Sequence, residues 1–204
     1  MCGIVGVYGD QTALVPLELD ILKHRGPNHT DAVTVRNMYL GHTRLSIVDI
    51  DGGHQPIQSP DGRYWLISNG EIYNHTDIRE QFVHYDFQTD TDSEVILALY
   101  LEYGTEAIHH LDGMFAFVIY DKQLDTIYMG RDPIGIKPMY YGWHDNLMYF
   151  ASEMKAIQNQ VDDLHEFPPG HWYTPDNGFV SYYDLPSVLD DYDQQIAPDI
   201  LAIQ

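Results

Sequence analysis

The stretch GMFAFVIYDKQLDTIYMGRD, residues 113–132, contains two apolar runs on either side of a short polar segment. The runs MFAFVIYD (114–121) and TIYMGRD (126–132) are rich in aromatic and β-branched residues, whereas DKQLD (121–125) is mostly polar. Runs of this length that flank a short turn are typical of two antiparallel strands. The stretch therefore predicts a β-hairpin.

Further strands are predicted on both sides of this hairpin. Two more hairpins join MYYGW (139–143) to LMYFAS (147–152) and HWYTP (171–175) to FVSYYD (179–184). Isolated strands are predicted over the runs GIVGVYG (3–9), VTVRNMYLGH (33–42) and YWLIS (64–68). Many short strands joined by tight turns indicate antiparallel sheets.

Three helices are predicted between the strands. One runs from Thr12 to about His24, before the breaker Gly26-Pro27, and a short one covers Glu106–Leu111. The strongest helix lies in TDSEVILALYLEYG (91–104). Thr91 and Glu94 have the spacing of a capping box there, and Gly104 suits the left-handed position at a helix end. Hairpins with separate helices indicate an α+β fold rather than a doubly wound parallel sheet.

Charge and composition exclude several classes of protein. The chain has 31 acidic and 10 basic residues, a formal net charge of −21, and only one cysteine. That charge repels nucleic acid and anionic membranes, so we expect neither as a partner. We expect no signal peptide, membrane span or metal site, because the sequence shows none of their patterns. A lone cysteine favours a reducing compartment and predicts a cytoplasmic location.

The single cysteine is Cys2, directly after the initiator methionine. Removal of Met1 would leave a thiol and a free α-amine on the same residue. An α-amine titrates near pH ~8, so it can act as a base near neutrality and activate the thiol as a nucleophile. The alternative is a packed, inert cysteine.

Asn69, Gly70 and Glu71 follow the predicted strand YWLIS. Asn-Gly is the commonest pair in tight hairpin turns, so one interpretation is a turn. In the other, the Asn69 amide and the Gly70 N–H bind a developing oxyanion.

Three charged residues suit a zwitterionic ligand. Arg44, in the apolar segment HTRLSIVD, would bind a carboxylate, and Asp92 and Glu71 would hold an ammonium group. The alternatives are an internal ion pair for Arg44 and helix capping for Asp92.

Nine short motifs extend these observations along the chain. They are CGIVG (2–6), HRGPN (24–28), HTRLSIVD (42–49), SNGEIYNH (68–75), TDSEVILALY (91–100), GMFAFVIYD (113–121), GRDPIGIKPMYYG (130–142), FASEMKAI (150–157) and EFPPG (166–170). In this series, from Cys2 to about Asp184, the chain resembles class II glutamine amidotransferases, and most closely the glutaminase domain of the glutamine-hydrolysing asparagine synthetase family.

The resemblance implies a fold and an activity. The fold is the N-terminal nucleophile hydrolase fold, a four-layered α/β/β/α sandwich of two antiparallel sheets. The activity is hydrolysis of glutamine to glutamate and ammonia through a thioester on an N-terminal cysteine. In that family the ammonia serves ATP-dependent synthesis of asparagine from aspartate.

The resemblance also implies a role for each candidate residue. Cys2 would be the nucleophile, with its freed α-amine as base, and Asn69 and Gly70 would form the oxyanion hole. The implied substrate-binding residues are Arg44 for the α-carboxylate, Asp92 and Glu71 for the α-amino group, Leu45, Ser46, Ile47 and Val48 as lining, and Asn69 and Gly70 again.

Two departures from the family pattern affect the expected organisation. Asn28 replaces the usual aspartate, which we expect to tune a loop rather than abolish the chemistry. No SGGxDS phosphate loop is present, and Gly52-Gly53 is no substitute. We expect a glutaminase domain over 2–185, an acidic linker or tail over 186–204, and no synthetase domain in this chain.

The expected partners follow from this organisation. They are glutamine and an ATP-dependent synthetase domain or subunit. We expect no cofactor in this chain, since ATP and Mg would act only in the missing or separate synthetase domain. Alternatives are a stand-alone glutaminase, a non-catalytic amidotransferase-like subunit that serves another synthetase, or a Cys-His protease or acyltransferase, which would depend on an internal histidine.

Overall fold

The structure, a computed structural model, describes residues 1–47, 49 and 52–184, so the predicted tail at 186–204 lies outside the described residues. The described residues form twelve strands: β1 (Gly3–Tyr8), β2 (His29–Val35), β3 (Met38–Arg44), β4 (Ile57–Gln58), β5 (Tyr64–Ile72), β6 (Gly113–Asp121), β7 (Thr126–Arg131), β8 (Tyr140–His144), β9 (Leu147–Ala151), β10 (Asp163–Glu166), β11 (His171–Thr174) and β12 (Gly178–Ser181). They also form two α-helices, α1 (His75–Gln81) and α2 (Val95–Tyr103), and four 3₁₀-helices, Gln11–Ala13, Leu19–Leu22, Gly104–His110 and Met154–Ala156.

The strands build two six-stranded sheets. The first sheet has the order β10-β8-β9-β1-β3-β2, and the second has the order β12-β11-β7-β6-β5-β4. Every strand pairing is antiparallel. The three predicted hairpins are confirmed as β6–β7, β8–β9 and β11–β12.

Both faces of each sheet are buried, and successive side chains along a strand pack into different cores. In β1, Ile4 packs into the core between the sheets, whereas Val5 packs on the outer face of the first sheet. In β5, Ile67 faces the core between the sheets and Leu66 the outer core of the second sheet. Successive side chains of a strand point to opposite faces, which explains both patterns.

Helix α2 covers the outer face of the second sheet. Its first five residues, Val95–Leu99, are all buried in that outer core. Burying an aliphatic side chain contributes roughly 1.5–3 kcal/mol, so packing rather than capping holds this helix. Gly104 ends it with a φ of 59°, as its left-handed preference predicts.

The outer face of the first sheet is covered by short 3₁₀-helices. Leu22 and Ala156 come from two of them and pack in one cluster with Val7, Tyr39 and Tyr149. The molecule therefore has four layers around two antiparallel sheets, and the predicted α+β sandwich is confirmed. Its outer layer on the first sheet consists of 3₁₀ turns, not long helices.

The predicted helix from Thr12 to about His24 is wrong. The structure has only the 3₁₀-helices Gln11–Ala13 and Leu19–Leu22 in this region. Pro16 lies between them, where it lacks an N–H donor and its ring clashes with the preceding turn of a continuous helix. The predicted helix Glu106–Leu111 is likewise a 3₁₀-helix, Gly104–His110.

The predicted single strand at 33–42 is two strands. Arg36 has a φ of 51° and turns the chain between β2 and β3, which pair with each other.

The predicted capping box at Thr91 and Glu94 is also wrong. The Glu94 carboxylate accepts hydrogen bonds from the backbone N–H groups of Gln88 and Thr89, at 2.8 and 2.7 Å. Glu94 therefore ties down the segment before the helix, and α2 begins at Val95 without a side-chain cap.

Candidate active site

A cavity of about 220 Å³ is lined by residues from both sheets. Pockets for drug-sized ligands are about 300–1,000 Å³, so this one suits a small metabolite. Eight of the ten predicted site residues line it: Cys2, Arg44, Leu45, Ile47, Asn69, Gly70, Glu71 and Asp92. Ser46 does not line it, and Val48 lies outside the described residues.

Strand pleating directs Cys2 and Asn69 towards the same gap. Ile4 in β1 and Ile67 in β5 belong to the core between the sheets. Side chains two residues apart on a strand share a face, so Cys2 and Asn69 point into that gap from opposite sheets. Arg44 shares a face of β3 with the core residue Leu40 in the same way. The cavity thus continues the core between the sheets.

Cys2 is half-buried and held by contacts to its sulfur and to its carbonyl. The N–H of Leu45 points at the Sγ of Cys2 over 3.5 Å. The Cys2 carbonyl accepts a hydrogen bond from the Nε of Arg25 at 2.9 Å, and the Nη1 of Arg25 binds Glu153 at 2.9 Å. The thiol faces a cavity and is not simply a packed core residue.

Glu153 anchors Arg25 as a carboxylate. Burial alone would raise the pKa of Glu153, but hydrogen bonds from Arg25, Lys155 and His24 outweigh burial and lower that pKa to about 2. Glu153 therefore stays charged at any physiological pH, and Arg25 keeps its position beside the Cys2 carbonyl.

Asn69 and Gly70 lie inside β5, where they pair with Ala116 and Phe115 of β6. The hairpin-turn interpretation is therefore wrong. Asn69 is 1% exposed, and its Nδ2 has no hydrogen-bond partner among the described residues. Leaving a buried donor unsatisfied costs about 1–3 kcal/mol, so this amide is suited to an arriving acceptor.

The register of β5 directs the Gly70 N–H away from β6. The N–H and the carbonyl of Phe115 both bond Asp132, so Phe115 shares no hydrogen bonds with its partner Gly70. The N–H groups of Ser68 and Ile72 point to the same edge as that of Gly70, towards Gln55 Oε1 at 2.6 Å and Asp92 Oδ2 at 2.7 Å. The Gly70 N–H lies between them on the edge that borders the cavity.

Glycine at position 70 is required by the neighbouring strand. A Cβ on Gly70 would lie 2.5 Å from the carbonyl oxygen of Met114 and 2.8 Å from the Cα of Phe115. The backbone of β6 therefore lies too close to Gly70 for a side chain at this position.

Arg44 is 4% exposed, and its guanidinium is held by the loop that follows β3. Nη1 donates to the Gly52 carbonyl at 2.7 Å, and Nη2 donates to the carbonyl of Asp49. A Cβ on Gly53 would lie 2.8 Å from Nη2, so this glycine lets the loop pack against the guanidinium. The orientation of Arg44 is fixed before any ligand arrives.

Asp92 is 8% exposed and does not cap α2, so the capping alternative is wrong. Its Oδ2 accepts the N–H of Ile72 at 2.7 Å, which fixes the carboxylate against the end of β5. Glu71 is partly buried on the same cavity. Two carboxylates and the guanidinium of Arg44 thus surround one space, as a zwitterion would require.

The segment after Arg44 is shaped by Asn28. The Oδ1 of Asn28 accepts the N–H of Ser46 at 3.1 Å, and its own N–H donates to the Arg44 carbonyl at 3.0 Å. Ile47 is 69% exposed and lines the rim of the cavity. The amide oxygen of Asn28 thus accepts the Ser46 N–H without the negative charge that an aspartate would carry.

Histidine does not contribute to the cavity lining among the described residues. His42 shares a face of β3 with Arg44, and burial lowers its pKa to about 3, so its imidazole is neutral. This weakens the Cys-His alternative. The described residues contain no cluster of histidine, cysteine and carboxylate side chains suited to a metal. None of the helices described is long and apolar enough to cross a membrane.

Several lining residues were not predicted from the sequence, among them Gln55, Ser68, Met114 and Lys137. The sequence around Lys137 could have identified it as a candidate site residue. It stands between Ile136 and Pro138 in a chain with only ten basic residues, the same kind of position that singled out Arg44.

The chain is similar to known proteins over most of its length. A family model described as a glutamine amidotransferase domain matches residues 1–167. The chain is 39% identical over 199 residues to asparagine synthetase [glutamine-hydrolyzing] 1 of Saccharomyces cerevisiae, covering 94% of this chain and 35% of that protein. It is 43% identical over 192 residues to asparagine synthetase B [glutamine-hydrolyzing] of Escherichia coli, covering 90% of this chain and 35% of that protein. The chain therefore spans about a third of the length of these relatives.

A solved structure shares the fold. The glutamine phosphoribosylpyrophosphate amidotransferase of B. subtilis superimposes with a TM-score of 0.71 at 22% identity, covering 88% of this chain and 48% of that one.

Proposed function

Because the chain belongs to the glutamine amidotransferase family, we propose that it hydrolyses glutamine to glutamate and ammonia through a thioester on Cys2. One observation carries the proposal. The Cys2 thiol and the unsatisfied Asn69 amide line the same small cavity as the oppositely charged Arg44 and Asp92. A nucleophile, an oxyanion donor and a clamp for a zwitterion are what this reaction needs.

The proposed reaction begins once Met1 is removed. The α-amine of Cys2 takes the thiol proton, and the sulfur attacks the side-chain amide carbon of glutamine. The oxyanion that forms accepts hydrogen bonds from Asn69 Nδ2 and the Gly70 N–H, which are in place before the reaction. The same amine then protonates the departing nitrogen, so that ammonia leaves and a γ-glutamyl thioester remains.

Hydrolysis of the thioester completes the cycle. The α-amine removes a proton from water, the water oxygen attacks the thioester carbon, and glutamate leaves as the Cys2 sulfur recovers its proton. Arg44 holds the α-carboxylate and Asp92 and Glu71 the α-ammonium throughout. Leu45, Ser46 and Ile47 form the segment beside the substrate, and a lining role for Val48, outside the described residues, stays a prediction.

We further propose that the ammonia is used by an ATP-dependent synthetase domain or subunit that makes asparagine from aspartate. The similarity to asparagine synthetases supports this step. The unit over 2–185 would be the glutaminase, 186–204 would be an acidic linker or tail, and ATP and Mg would act only in the synthetase. A cytoplasmic location, supported by the single cysteine, belongs to the same proposal.

Exposure of Cys2 at the N-terminus provides the test. The protein is produced with a cleavable N-terminal tag whose removal leaves Cys2 first, and its exact terminus is read by mass spectrometry. We expect glutaminase activity only after cleavage, and hydroxylamine should trap the thioester as γ-glutamyl hydroxamate. Activity of the tagged form equal to that of the cleaved form would rule out the α-amine as base.

The matched controls are Cys2→Ala and Cys2→Ser in the cleaved form. Both should fold, Cys2→Ala should be inactive, and Cys2→Ser should retain at most traces because an alkoxide is much harder to form. Wild-type rates in either variant would refute Cys2 as the nucleophile. Asparagine formation from ATP and aspartate by this chain alone would contradict the need for a synthetase partner.

A further inference from the structure

Lys137 is a buried cation in the cavity whose side chain has no counter-charge. It is 6% exposed and lines the cavity together with Cys2. Its hydrogen bonds run through its backbone, and it forms no ion pair in the part of the chain that the structure describes. Burying a charge without a partner is costly, so Lys137 is suited to an anion that enters or forms in the cavity.

Two buried residues clamp the backbone of Lys137. The Asp132 carboxylate accepts the N–H groups of Lys137 at 2.9 Å and Ile136 at 2.8 Å, and also that of Phe115 at 3.2 Å. The Nε of Arg131 donates to the Lys137 carbonyl at 2.8 Å. One carboxylate thus fixes Lys137 relative to β6, the strand paired with the predicted oxyanion donors.

The charge of Lys137 acts at the chain end that carries Cys2. Burial is the largest effect on the α-amine of Met1 and lowers its pKa; Cys2 raises that pKa, and the positive charges of Arg25 and Lys137 lower it again. Removal of Met1 would free the α-amine of Cys2 itself, which lies closer to the sulfur than the amine of Met1 does.

Other charged groups face the same space from every side. Those that line it are Arg44 from β3, Glu71 from β5, Asp92 before α2 and the terminal residue that carries the amine. Arg25, after the 3₁₀-helix Leu19–Leu22, lies beside the cavity and binds the Cys2 carbonyl. Arg25 is paired with Glu153, and Glu71 and Asp92 oppose any negative charge on the sulfur. Lys137 lines the same cavity, and its positive charge opposes the effect of these two carboxylates on the sulfur.

We propose that Lys137 is a positioning residue for the nucleophile, whose buried ammonium serves as the counter-charge of the Cys2 thiolate. This rests on the proposed glutaminase function. In the step concerned the S–H bond breaks, the α-amine takes the proton and keeps it until it protonates the departing nitrogen, and the sulfur keeps the electron pair. A neighbouring cation favours the thiolate that this step forms.

Alkylation of the only cysteine tests this without glutamine. The mature protein is treated with iodoacetamide across a pH series, and modification of Cys2 is followed by mass. In Lys137→Met the midpoint of the rate profile should move up by about one pH unit, so that the rate at pH 7 falls about tenfold. Lys137→Arg, which keeps the charge, should stay within about threefold of wild type. With anionic iodoacetate the alkylation rate of Lys137→Met should fall further still, because the variant also lacks the positive charge that attracts this reagent.

Lys122→Met is the matched control, because it removes the same charge at the opposite end of the β6–β7 hairpin and should leave both rates unchanged. Lys137→Met should melt no lower than wild type, since it removes a buried unpaired charge. If it fails to fold, Lys137→Gln replaces it. A wild-type alkylation profile in the neutral variant, or a lower melting temperature that accounts for the slower rate, would overturn the proposal.

The glutaminase assay separates the two proposals. If Lys137→Met alkylates normally and only raises KM for glutamine, Lys137 binds a substrate carboxylate and this inference fails while the function stands. If wild type alkylates as expected but does not hydrolyse glutamine, the proposed function fails, and the inference fails with it as a statement about catalysis.

Discussion

The backbone N–H of Leu45 points at the sulfur of Cys2 over 3.5 Å. Leu45 directly follows Arg44, whose guanidinium is fixed by the carbonyls of Asp49 and Gly52. The segment that places the proposed carboxylate clamp therefore also orients the nucleophile. Substrate positioning and nucleophile positioning share one piece of backbone.

Asn69→Ala should lower kcat for glutamine by about 10²–10³ with little change in KM, because one oxyanion donor acts only in the transition state. Stability should change little, since the Asn69 Nδ2 has no partner to lose among the described residues. Steady-state kinetics and thermal melting measure the two effects.

Asn74→Ala is the control for this variant. The Asn74 side chain bonds the His110 carbonyl at 2.9 Å and the Asp112 N–H at 3.1 Å, so it should lose stability and keep kcat. An Asn69→Ala variant with raised KM and normal kcat would place Asn69 in ground-state binding.

Arg44→Lys should lower kcat/KM for glutamine by about 30- to 1,000-fold, or about 2–4 kcal/mol, because a lysine cannot form the bidentate contact in a buried pocket. With 4-aminobutanamide, which lacks the α-carboxylate, wild type should be poor and the mutant scarcely worse. That non-additivity links Arg44 to the missing group.

Arg63→Lys controls for the loss of a guanidinium elsewhere. Arg63 pairs with Asp121 and does not line the cavity, so kcat/KM should be unchanged. If Arg44→Lys discriminates against the analogue as strongly as wild type does, Arg44 is structural and another residue binds the carboxylate.

Asn28→Asp should retain kcat/KM within a few fold, because Oδ1 can still accept the N–H of Ser46. Asn28→Ala removes that acceptor and should lower kcat/KM by about 3- to 10-fold, as expected for losing one hydrogen bond of about 1 kcal/mol. Equal activities of the two variants would show that this bond does not position the substrate segment.

Glu153→Gln should lower the free energy of unfolding by about 1–3 kcal/mol at neutral pH. The pKa of Glu153 is lowered from 4.5 to about 2, so its stabilisation is fully present above pH 4.5 and is lost as the pH falls towards 2. Urea unfolding of both proteins at a series of pH values should show their difference shrinking across that range.

Glu166→Gln is the comparison for Glu153→Gln. Glu166 pairs with Arg131 but its side chain is 56% exposed, so its loss should cost less than about 1 kcal/mol. A difference between wild type and Glu153→Gln that does not vary with pH would exclude the ion pair as its source.

Sequence patterns predicted the strands better than the helices, for a physical reason. A strand such as β6 is defined by its own alternation and by a turn beside it, both of which are local. The segment at 12–24 has the composition of a helix, but Pro16 and packing against the first sheet divide it into 3₁₀ turns. Glu94 has capping-box spacing, but the folded chain offers it the N–H groups of Gln88 and Thr89 instead.

The site was predicted by residue type, and its supports were not. Cys2, Arg44 and Asp92 stood out because their chemistry is rare or costly at those positions. Arg25 acts through contacts with Cys2 and Glu153 that form only when distant segments meet, and no local pattern encodes those contacts. The fold reveals what holds a reactive group, whereas the sequence reveals that the group is there.

The shortness of β4 has a consequence for how the second sheet ends. This strand pairs only with Leu66 and Trp65 of β5, so no strand among the described residues pairs with the edge from Ser68 to Ile72. Bare edges invite pairing with other chains. Here the side chains of Gln55 and Asp92 accept the N–H groups of Ser68 and Ile72, so the Gly70 N–H between them is the donor that borders the cavity. Four more residues at the start of β4, back to Gly53, would pair with Gly70 and cover that donor, so the proposed oxyanion site depends on a sheet edge that stops early.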